Sequence, residues 1–67
     1  MNLPKSMRVG LAMRGMGQGD LAEATGIHRS NISKMINGKM IITHERLESI
    51  ATALSMKVSE FVKLGED

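Results

Sequence analysis

Sixty-seven residues, 42% of them apolar, are enough for one small domain with a modest core and a narrow margin of stability. The absence of cysteine excludes a disulfide or a thiolate metal site, and His28 and His44 stand too far apart for a helical i, i+4 ligand pair. No apolar run exceeds three residues. That excludes a transmembrane helix or a signal-peptide core, makes a reducing cytoplasm the natural setting, and leaves oligomerisation as the remaining support for so small a core.

In chain order, Asn2 is suited to cap a first helix, and Pro4 suits its first turn, where a missing N–H costs nothing. That helix is expected over about Leu3 to Arg14, with Leu3, Met7 and Leu11 as its apolar stripe. Gly10 in its middle weakens it by roughly 0.5 to 1 kcal/mol relative to alanine and leaves room for another backbone to approach. Gly15, Met16 and Gly17 then break the helix and supply one apolar plug. Gln18 opens a second helix, with Asp20 near its positive end and Leu21, Ala22 and Thr25 on one face. Gly19 has no evident reason to stand inside that first turn.

Gly26 stops the second helix, because glycine accepts the left-handed angles of a helix C-terminus, and Ile27 occupies the turn. A third periodic run puts Ile32, Met35 and Ile36 on one side and leaves Arg29, Ser30, Asn31, Ser33 and Lys34 on the other. Asn37 and Gly38, both tolerant of left-handed angles, end it, and Lys39, Met40 and Ile41 form a connector. Thr43 caps a fourth helix over about His44 to Leu54, with Ile42 placed to pack on Leu47 and with Leu47, Ile50, Ala51 and Leu54 buried. Ser55 to Val58 make a turn, Ser59 caps a last short helix carrying Phe61, Val62 and Leu64, and Gly65, Glu66 and Asp67 are expected to fray. Five short helices without alternating strand pattern predict an all-α globule. Seven methionines beside one aromatic residue predict a soft core and are read as packing.

Charge is unevenly spread. Residues 1 to 39 hold six basic side chains against two acidic ones, and residues 40 to 67 hold three against five. The asymmetry suits an anionic partner meeting one face, although an excess of this size also occurs on ordinary solvated surfaces. Asp20, Glu23, Glu45 and Glu48 lie on faces typical of solvated carboxylates, and no nucleophile, base and orienting group stand together. Catalysis is therefore not expected, nor is a cofactor, a metal or a small-molecule ligand.

The combined spacing from Gln18 to Lys39 is that of a helix-turn-helix. With Gln18, Leu21-Ala22, Gly26-Ile27, Ile32-Ser33-Lys34, Asn37-Gly38-Lys39, Ile42-Thr43, Leu47, Ile50-Ala51, Ala53-Leu54 and Val58-Ser59-Glu60-Phe61, the chain resembles the Cro and repressor (XRE-like) DNA-binding proteins of phages and bacteria. The resemblance covers about Met7 to Leu64. It implies a compact five-helix, lambda-repressor-like domain over residues 1–67, with its helix-turn-helix at 18–38. Such a domain binds a palindromic DNA operator as a homodimer, formed beforehand or on DNA, with helix three in the major groove and no membrane partner.

Carried over residue by residue, Arg29, Ser30, Asn31 and Lys34 hold base-reading positions, while Gln18, His28, Asn37 and Lys39 hold phosphate-contacting ones. Arginine can place two donors on guanine O6 and N7, and a helix N-terminus with an amide side chain suits a backbone phosphate. The chain also departs from the pattern. His28 stands where serine or threonine often caps the recognition helix, as a cap through a neutral imidazole nitrogen or as a phosphate contact. Leu11 and Ile36 replace a buried Arg and Glu pair found in some phage repressors, which predicts an apolar contact between helices one and three. Gly17 and Gly19 flank Gln18 where polar or helix-favouring residues are usual. Met40 and Ile41 replace a polar connector and are read either as a dimer contact or as a loosely packed loop. The alternative function is a protein-binding module of the same fold, such as an antitoxin or controller component, using exposed Met40, Ile41, Met56 and Phe61.

Overall fold

Asn2 starts the chain's first helix, α1 (Leu3–Arg14): its Oδ1 accepts the Lys5 N–H at 3.1 Å, and Pro4 lies in the first turn. The computed structural model describes residues 1–66 and continues through α2 (Gln18–Thr25), α3 (Arg29–Ile36), α4 (His44–Ala53) and α5 (Val58–Lys63). Among the described residues there is no strand. All five helices are those the periodicity predicts, α1 to the residue.

The inward stripes meet in one cluster. Met7, Leu21, Ile32, Met35, Ile50, Leu54 and Phe61 are completely buried, and Leu11 and Ile36 lie at its edge where α1 packs on α3. The expected apolar junction between those two helices is therefore present. α2 packs on α3 and α4, and α5 closes the other side against α1 and α4. The lone aromatic ring, Phe61, is at the centre, where burying such a side chain contributes roughly 1.5 to 3 kcal/mol.

Several local expectations are corrected. The residue that Gly10 admits is a side chain and not a backbone: a methyl group there would stand 2.8 Å from Leu54 Cδ1. Ser59 is not the cap of α5; Lys57 is, and Glu60 reaches back to accept the Lys57 N–H at 3.0 Å. Leu54 caps α4 instead of continuing it, and Val58 belongs to α5. Only Gly38 of the Asn37-Gly38 pair is left-handed (φ +72°); Asn37 keeps φ −88°.

Gly65 is not frayed. It is buried, and a methyl group on it would collide with the carbonyl of Asn2 and come 2.5 Å from Ser6 Oγ. The fraying expected of Asp67 lies outside the described residues. Ser6, also buried, donates from its hydroxyl to the Val62 carbonyl at 3.3 Å, so the end of α5 is held down on the start of α1.

Candidate nucleic-acid interface

The turn between α2 and α3 is made by three consecutive residues with different tasks. Gly26 takes φ +75° and its N–H returns to the Ala22 carbonyl at 2.9 Å, ending α2. Thr25 donates to the Leu21 carbonyl at 2.8 Å and accepts the Ile27 N–H at 3.2 Å, so one hydroxyl ties the last turn of α2 to the linker. From the sequence, Thr25 has only a place on the inner face; its signal is a hydroxyl one residue before a helix-ending glycine, where it can satisfy a freed backbone group. Ile27 then packs half-buried on the core and fixes how α3 departs.

His28 caps α3. Its Nδ1 accepts the Ser30 N–H at 3.2 Å and lies 2.8 Å from Ser30 Oγ. A ring nitrogen that accepts an N–H carries no proton, so the neutral ring holds its proton on Nε2, which is left as a donor on an exposed side chain. Ser30 is correspondingly engaged: its hydroxyl donates to His28, and its oxygen keeps acceptor capacity.

Arg29, Ser30 and Lys34 are exposed along α3, and Asn31 is half-buried beside them. The structure thus brings together the four residues assigned to base reading on the outer surface of one helix. Gln18, half-buried, opens α2 after an extended Gly17 that offers no side-chain cap. The first N–H groups of α2 are therefore left without a side-chain acceptor, while Asp20 accepts the Gly17 N–H at 2.8 Å. The two helix starts lie side by side: a methyl group on Gly19 would stand 3.5 Å from Arg29 Nη1 and 3.8 Å from its Cζ. At the far end of α3, Asn37 and Lys39 are exposed, and the Asn37 amide donates to the Ser33 carbonyl of its own helix at 2.9 Å.

The basic half of the chain is not one basic surface. Arg8 Nη1 donates to the Ile36 carbonyl at 3.1 Å and Arg14 Nε to the Leu54 carbonyl at 2.7 Å, so both arginines of α1 close the C-terminal ends of other helices. Arg29, Lys34 and Lys39 make no side-chain hydrogen bond or ion pair among the described residues. Away from them, an open groove between the end of α2 and α4 is lined by Thr25, Glu45, Glu48, Ser49 and Thr52, and Glu48 pairs with His44 at 2.7 Å on the exposed face of α4. Among the described residues no acidic or histidine cluster could hold a metal ion, and no helix is long and apolar enough to cross a membrane.

A glycine-hinged pair of helices, the second with an exposed polar and basic face, defines a helix-turn-helix protein. The family model of the Cro/C1-type HTH DNA-binding domain matches residues 6–67, taking in the whole stretch on which the resemblance rests. The chain belongs to that family and is a DNA-binding regulator. Families of this kind are normally non-enzymatic. No curated protein and no solved structure matches the chain significantly.

Proposed function

We propose that this protein is a Cro-like repressor that binds an approximately palindromic operator as a homodimer, occupying a promoter with α3 of each copy in successive major grooves. In this reading the regulator works in the cytoplasm of a bacterial host, and is of phage or chromosomal origin. The observation that carries it is the pair of adjacent helix starts. The uncapped first turn of α2 at Gln18 offers N–H groups to a phosphate, and Arg29, Ser30, Asn31 and Lys34 lie next to it on the face that would enter the groove. His28 Nε2, Asn37 and Lys39 lie at either end of α3, where they suit the phosphates flanking the bases being read.

Two recognition helices about 34 Å apart would meet half-sites one DNA turn apart. Selection of bound duplexes from a random pool tests this: an enriched site with two inverted halves at that spacing is expected, and enrichment of nothing rules the reading out. Binding should also weaken steeply with salt. The protein-binding alternative loses most of its surface, since Phe61 is wholly buried and Met40 and Met56 are half-buried against the core. Of that set only Ile41, 87% exposed, is free to meet a partner.

A further inference from the structure

Five of the seven glycines have a visible structural reason: Gly15, Gly26 and Gly38 hold positive φ, and Gly10 and Gly65 are pressed against side chains or backbone, whereas Gly17 has extended angles open to any residue. Gly19 lies inside a helix with ordinary angles, where glycine is among the least favourable residues, and the only atoms near its missing side chain belong to the Arg29 guanidinium.

We propose that Gly19 is a positioning residue for Arg29. By keeping this position small it leaves room beside the first turn of α2 for the guanidinium, and this aims the first side chain of α3 at one base pair. The inference rests on the DNA-reading function above. Nothing else holds Arg29: it is exposed and has no hydrogen bond or ion pair among the described residues. A long arginine free to sample its rotamers loses that freedom on binding, and a planar, weakly hydrated guanidinium already lying beside the first turn of α2 loses less. A small residue beside Gln18 also keeps the phosphate grip and the reading arginine from competing for space.

The test uses two kinds of substitution. Gly19→Ala adds a methyl group at an ordinary contact distance of 3.5 Å, so the guanidinium keeps its place. Gly19→Val fills that room with a second branch, and Gly19→Leu does so without branching at Cβ; all three are better helix formers than glycine, so folding is not expected to suffer. Duplexes are selected from a random pool by the wild type, by each Gly19 variant, by Arg29→Ala and by the Gly19→Val, Arg29→Ala double variant. The wild type and Gly19→Ala should enrich the same site. Gly19→Val and Gly19→Leu should lose about tenfold in discrimination at the base pair where Arg29→Ala loses it, and the double variant should lose no more. Filled variants that keep the wild-type preference there, or that weaken binding to all duplexes equally, overturn the positioning role while leaving the DNA reading intact. A wild type that enriches no duplex overturns both.

Discussion

Arg8 and Arg14 on α1 carry the same charge as Arg29 on α3 and come from the same half of the chain, yet the molecule uses them in opposite ways. The α1 arginines reach across the fold and cap the last carbonyls of α3 and α4, so each commits one donor inside the structure. Arg29 lies beside Gly19 and keeps all its donors, as Lys34 and Lys39 keep theirs among the described residues. Positive charge in a sequence is thus not the same as positive charge on offer. What separates Arg8 and Arg14 from Arg29 is the helix end each one reaches: a C-terminus, where unsatisfied carbonyls attract a cation, as against an N-terminus, where they do not.

The contrast is sharpest if each region can be damaged without touching the other. The largest effect is expected on the α1 side from Gly65→Ala, because the new methyl group meets the Asn2 carbonyl, a backbone atom that cannot turn aside. A loss of about 2 to 3 kcal/mol is expected, lowering the melting temperature by roughly 10 to 20 °C in so small a domain, with duplex preference kept by the fraction still folded. Arg29→Ala should show the reverse, costing about 1 to 3 kcal/mol of binding and relaxing one base pair while thermal stability stays within about 0.5 kcal/mol. Equal losses on operator and random DNA would remove Arg29 from the base-reading set.

Arg14→Ala comes next. It leaves the Leu54 carbonyl without its 2.7 Å charged partner and should cost about 1 to 1.5 kcal/mol of stability with the ranking of duplexes unchanged. A changed ranking would mean that α1 also reaches DNA. The smallest effect belongs to His28→Ser, which installs a preferred capping residue and should raise stability by about 0.5 kcal/mol. If the exposed His28 Nε2 also meets a phosphate, affinity falls alike on every sequence, and calorimetric unfolding beside duplex titration separates the two.

Helix limits were legible wherever the stopping signal is chemical and local. Asn2 with Pro4, Gly26 and Thr43 each mark a boundary that the structure keeps, because a cap or a left-handed angle depends on one residue and its near neighbours. Ser59 misleads because it is a good cap in the wrong register: the acidic side chain of Glu60 gains more by reaching back to Lys57. Phe61 as a partner contact and Gly65 as a frayed end both depend on which helices meet, as does the engagement of Arg8 and Arg14, and no short stretch of sequence records that. The face of α3 was legible as a pattern, whereas the role proposed for Gly19 needed the position of a side chain ten residues on.

The seating of Gly65 against Asn2 also makes the chain a nearly closed ring. Loop closure over most of the chain costs entropy that a covalent link would remove, and here a few atoms of backbone contact complete the circle. Joining those two positions covalently would restrict the unfolded chain by roughly 4 kcal/mol, more than any single contact named above provides. Once the ring is joined, it could be reopened at the exposed Gly15 or Gly17 with every helix left whole, giving a permuted protein with the same reading face.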